Sequence, residues 1–184
     1  MVSAPPPSSP VVGREMVVGY GSELRSDDGV GWAVVRRLVA DPRFAGVDVR
    51  GEPQLAPELA IDASRASLVV LVDAAADLEP GAIRIRTLAG DGRPASAWTH
   101  HIEPDDLIAL TRELWGSAPP VVTVSVGVAS LEVGESLTLP VEAAVPRVVD
   151  AVAEVIAGHR SSGVSSTPAE RDLARPAEGH GRDA

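Results

Sequence analysis

Between residues 14 and 157, short apolar runs alternate with stretches in which apolar residues recur at spacings of three and four. Met16, Val17 and Val18 lead into Gly19-Tyr20-Gly21, which predicts a buried strand closing in a tight loop. Val30, Val34, Val35, Leu38 and Val39 then fall on one face of a helix. Val47 and Val49 predict a second strand, and residues 57–64 a short helix. Residues 67–72 form a continuous run rich in β-branched side chains, the pattern of a strand covered on both faces, and the run stops at Asp73. Residues 82–88 alternate apolar residues with arginine, so one face is wet, as in an edge or antiparallel strand. Pro104 suits the first turn of a helix reaching Trp115, with Asp105 and Asp106 at its positive end. Residues 121–126 predict another strand and 141–157 a last helix, with Val145, Val148, Val149, Val152, Val155 and Ile156 to bury. The sum is an α/β domain of three layers: a mostly parallel sheet, helices on both faces and one antiparallel edge strand.

Outside this stretch the pattern lapses. Residues 1–13 are rich in Pro and Ser, and 158–184 mix Gly, Ser, Pro, Arg and Glu without periodicity, so both are expected to be disordered around one domain at 14–157. His159 and His180 then fall in the tail, leaving His100 and His101 within the domain. The 26 acidic and 16 basic residues give a formal charge of -10, which repels nucleic acid and anionic membrane surfaces. Every basic residue is arginine, and with Trp32, Trp98, Trp115, Tyr20 and Phe44 the only aromatics, no platform for stacking bases exists. Cysteine is absent, which removes disulfides, thiolate metal sites and thiol nucleophiles. No secretory leader or membrane-length apolar run is present, and a cytoplasmic location is expected.

In open α/β sheets ligands bind where the strands end at their carboxyl edge, and three places there carry candidate chemistry. The first runs from Gly19-Tyr20-Gly21-Ser22 to Asp27-Asp28-Gly29; Leu24 stands where a dinucleotide fingerprint needs glycine. One of the two aspartates is accounted for as a cap on the following helix, leaving the other free to sit over the sheet edge. The second is Asp73, a carboxylate ending a buried strand, which must be hydrogen-bonded, paired or bound to a cation. The third is Thr99-His100-His101, ahead of the Pro104 helix. Two carboxylates and one imidazole would suit nickel or zinc with open positions. Two aspartates would equally serve as an acid pair activating water. A serine mechanism lacks its G-x-S-x-G elbow.

These residues resemble the hydrogenase maturation peptidases, which remove a C-terminal extension from the large subunit of nickel-iron hydrogenases. The resemblance rests on Val18-Gly19-Tyr20-Gly21-Ser22 followed by Asp27-Asp28-Gly29-Val30-Gly31, on Val72-Asp73-Ala74, and on Thr99-His100. It continues through Val124-Ser125-Val126-Gly127 to Leu139-Pro140-Val141-Glu142-Ala143. It implies that Asp28, Asp73 and His100 meet the metal, with His101 as the alternative, and that the enzyme is classed as an aspartic-type endopeptidase; it leaves open whether Asp28 or Asp73 activates the attacking water or the nickel polarises the carbonyl. It also implies that the nickel belongs to the substrate, so that no intrinsic cofactor is expected and the partner is the large-subunit precursor. Ser22 replaces the family's usual asparagine, and Asp28 stands where glutamate is common, one methylene shorter. The alternatives are a noncatalytic accessory protein that binds nickel or a nucleotide, and a metallopeptidase with its own zinc.

Overall fold

A computed structural model describes residues 13–89, 102–162 and 171–173. The elements follow in the order β1 (Glu15–Tyr20), α1 (Val30–Ala40), β2 (Asp48–Glu52), α2 (Leu59–Ala63), β3 (Leu68–Ala75), β4 (Ile83–Leu88), α3 (Pro104–Trp115), β5 (Val121–Gly127), α4 (Leu139–Ser161) and β6 (Arg171–Leu173). They build one sheet in the order β2-β1-β3-β5-β4-β6. The first four of these strands run parallel, whereas β4 is antiparallel to both β5 and β6.

Alternation along the strands sorts the core into two layers. Val17, Val70, Val72, Val122 and Val124 pack with Val34 and Leu38 of α1 and Val148 and Val152 of α4. On the other face Met16, Val18, Val69, Leu71 and Val121 pack with Leu59 and Ala60 of α2 and Leu107 and Ile108 of α3. Helices cover both faces of a largely parallel sheet, the architecture that the sequence pattern predicts.

Helix α4 begins two residues earlier than expected, at Leu139, and α2 is shorter, but the differences that matter lie at the far ends of β3 and α4 and beyond. Strand β3 does not stop at Asp73, because its pairing with β5 continues from Asp73 opposite Ser125 to Ala75 opposite Gly127. Helix α4 does not stop at Ala157: it continues to Ser161, placing His159 in its last turn, and Arg160 grips Glu15 at the start of β1 (Nε to Oε1, 2.7 Å). Beyond Ala157 the described residues are the end of α4 up to its cap Ser162, and Arg171–Leu173, which pair with β4 and so make β6 the outer strand.

Close contact between β1 and α1 depends on two glycines. A Cβ on Gly19 would lie 2.3 Å from the Gly31 carbonyl oxygen, and one on Gly31 would lie 2.5 Å from the Tyr20 nitrogen. With neither present, the start of α1 lies directly against the end of β1. No helix among the described residues is long and apolar enough to cross a membrane.

Candidate functional site at the carboxyl edge of the sheet

Tyr20 is the last residue of β1, and Asp73 lies near the end of the adjacent parallel strand β3. Period-two alternation puts both on the face covered by α2 and α3, in line with Met16 and Val18 on β1 and with Val69 and Leu71 on β3. The Tyr20 hydroxyl donates to Asp73 Oδ2 at 2.8 Å. The other oxygen, Oδ1, is buried and makes no hydrogen bond of ordinary length, although the Ser125 hydroxyl, opposite Asp73 on β5, stands near the carboxyl. Burial pushes the Asp73 carboxyl above its ordinary range; the neighbouring Ser125 and Tyr20 hydroxyls pull it down, and the charge of Glu103 adds to the rise. Burial also pushes the Tyr20 phenol up, reinforced by Asp73 and then by Glu103 and Asp28, so it stays an O–H donor at any ordinary pH.

The Asp27-Asp28 pair belongs to a 3-10 turn at Ser26–Gly29 that precedes α1. Ser22 N–H donates to Asp28 Oδ2 at 2.8 Å. This closure of the loop onto the turn requires Gly21, whose φ is 129° and whose Cβ, if present, would lie 2.1 Å from the Asp28 carbonyl oxygen. Trp32 secures the same loop by donating Nε1–H to the Gly21 carbonyl at 2.9 Å.

Asp27 has a different role. Fully buried, it accepts the N–H groups of Ala129 (2.8 Å), Ser130 (3.0 Å) and Thr138 (2.6 Å), together with the Thr138 hydroxyl (2.9 Å). Backbone bonds from Ser26 N–H to Gly134 O (2.7 Å), Asp27 N–H to Ser130 O (3.1 Å) and Gly134 N–H to Leu24 O (3.0 Å) complete the junction between the two loops. Neither aspartate caps α1, whose N-cap is Gly29 without a side-chain bond. The intervening 3-10 turn sets both carboxylates back from the helix start, where loop amides reach them first. Asp27 anchors the loop structurally, and Asp28 is the acid left at the edge.

His100 and His101 lie outside the described residues. Immediately after them, Ile102 is buried and donates its N–H to Leu55 O at 3.3 Å. Glu103 then opens α3 through a reciprocal capping box with Asp106. Ile102, Leu107 and Ile108 belong to the apolar cluster against which Tyr20 packs, so the start of α3 lies on the same face of the sheet as Tyr20 and Asp73.

Sequence reasoning passed over Tyr20, Ser125 and Glu103 as site residues. Continuing the alternation Met16, Val18 would have put Tyr20 on the Asp73 face. The three-residue spacing from Glu103 to Asp106 was a visible capping signal. Ser125 needed the β3/β5 register, which one strand alone does not reveal. No cluster of three or more His, Cys, Asp or Glu able to hold a metal forms among the described residues. A cleft of about 500 Å³ lined by Arg14, Asp48, Asp62 and Arg65 opens at the amino ends of β1 and β2, the opposite edge from these acids.

No family model matches the sequence, and neither does any curated protein. Solved structures do match. A hydrogenase 2 maturation peptidase from a Thaumarchaeota archaeon is 26% identical with a TM-score of 0.61, over 78% of this chain and 98% of that one. An endopeptidase from Escherichia coli is 25% identical with a TM-score of 0.64, over 84% and 97%. The hydrogenase maturating endopeptidase HybD from E. coli, at 23% identity and a TM-score of 0.61 over 84% and 97%, shares the fold.

Proposed function

As a member of the hydrogenase maturation peptidase family, this protein, we propose, is an endopeptidase that removes the C-terminal extension from the large-subunit precursor of a nickel-iron hydrogenase once nickel is in place. Asp28, Asp73 and His100 read the nickel, which arrives as part of the substrate. The observation that carries this reading is the buried Oδ1 of Asp73 at the carboxyl edge, which makes no hydrogen bond of ordinary length. A buried polar atom without such a bond is costly, and a cation brought by the substrate removes that cost. Asp28 supplies a second carboxylate, held by the same β1 loop that delivers Tyr20. The histidine pair precedes α3, which packs on the same face of the sheet as Tyr20, and His100 is the imidazole ligand in this assignment.

The same two acids are the groups we assign to hydrolysis. One takes the proton of the attacking water and returns it to the departing amine, while the substrate's nickel confines cleavage to a loaded precursor. A metal that the substrate already coordinates needs only a few further contacts from the enzyme, which suits this chain without cysteine.

Site variants assayed on nickel-loaded precursor test the assignment. Asp73→Asn keeps the shape and loses the charge, and should reduce processing by about 100-fold or more with an unchanged circular dichroism spectrum. His100→Ala should process more slowly than His101→Ala; the reverse order moves the ligand to His101. Processing by Asp73→Asn at the parental rate would contradict the site.

A further inference from the structure

We propose that Tyr20 is a positioning residue that selects which oxygen of Asp73 meets the substrate's cation; the proposal rests on the nickel-reading function above. Tyr20 and Asp73 are 53 positions apart in the chain and become neighbours only because β1 and β3 are adjacent. The ring packs against the apolar cluster on the α2/α3 face, so its hydroxyl has a fixed origin. From there Oη holds Asp73 Oδ2 at 2.8 Å, and a carboxylate fixed at one oxygen is no longer free to turn about its last torsion. Ser125, opposite Asp73 on β5, brings a second hydroxyl close to the carboxyl, and the oxygen that no hydrogen bond of ordinary length holds is the buried Oδ1.

Asp28 is treated alike. Its Oδ2 takes the Ser22 N–H at 2.8 Å, so the residues on either side of Gly21 each hold one oxygen of one site acid. Both carboxylates are thereby set to offer a single oxygen. One atom per residue is what suits a cation whose coordination is already largely filled by its carrier, because a bidentate carboxylate would need two vacant neighbouring positions. Tyr20 therefore contributes to metal recognition without touching the metal.

Tyr20→Phe in the full chain removes only the hydroxyl and keeps the ring in the core. Equilibrium binding of nickel-loaded and nickel-free precursor is compared for the parent, Tyr20→Phe, Asp73→Ala and the double variant. For Tyr20→Phe, the Kd for loaded precursor should rise about tenfold, the loss expected for one hydrogen bond to a charged group, while that for nickel-free precursor stays at the parental value. In the Asp73→Ala background the same substitution should change neither Kd, because the interaction it would remove is already gone. Unchanged binding of loaded precursor by Tyr20→Phe, or equal weakening toward both precursors, overturns the Tyr20 proposal and leaves the nickel-reading function standing. Equal parental affinity for the two precursors overturns both.

Discussion

At Asp27 burial raises the carboxyl, but the amides of Thr138, Ala129 and Ser130 and the Thr138 hydroxyl outweigh it and hold the group below its ordinary range. A carboxyl depressed in the folded state stabilises the fold above its unfolded pKa, about 4, and loses that contribution as pH falls through the lower folded value. Asp27→Asn should therefore cost about 2 kcal/mol near neutral pH, and its deficit against the parent should shrink in acid; denaturant titrations at neutral pH and at about pH 3 measure it. A deficit independent of pH would show that shape, and not charge, joins the two loops. At this scale the sequence singled out Asp73 as the polar residue that closes an apolar run, and Asp28 as one of two acids in the loop between β1 and α1. The division of labour between Asp27 and Asp28 was not legible, because the donors to Asp27 lie 102 to 111 residues further along the chain.

Among the elements, the close approach of β1 and α1 is the joint on which the site depends. Gly31→Ala would drive a Cβ to 2.5 Å from the Tyr20 nitrogen, and overpacking of this kind costs about 1–3 kcal/mol. Since the displaced backbone carries Tyr20, processing should fall together with melting temperature; a variant with parental stability and activity would show that the joint has slack. At the other end of β1, Arg160 joins α4 to Glu15 in a partly exposed ion pair. A chain ending after residue 158 should be less stable than one ending after residue 162, by up to about 1 kcal/mol from this pair, as a direct comparison of their thermal unfolding would show. Periodicity located the elements well, α3 to the residue, since Pro104 starts it and Gly116, with φ 77°, ends it. It missed the far ends of β3 and α4, where pairing with β5 and the Glu15 contact, both set by distant segments, extend the element past the residue at which the apolar pattern stops. The short strand at Arg171–Leu173 carried no apolar alternation to find, since only one of its residues is apolar.

For the whole molecule, the three-layer sheet sets one carboxyl edge on which β1, its following loop and β3 place two acids, each with one oxygen held by a neighbouring donor. That arrangement suits an enzyme that reads a metal carried by its substrate more than one that retains a metal of its own, and the dependence of cleavage on nickel is the claim on which the account turns. The most direct test incubates the purified full chain with nickel-loaded and with nickel-free large-subunit precursor and follows loss of the C-terminal extension by mass spectrometry, with metal content measured on the isolated enzyme. The account predicts cleavage of the loaded precursor alone, by an enzyme that carries no stoichiometric metal. Equal cleavage of both precursors, or tightly held zinc whose removal abolishes activity, would contradict it.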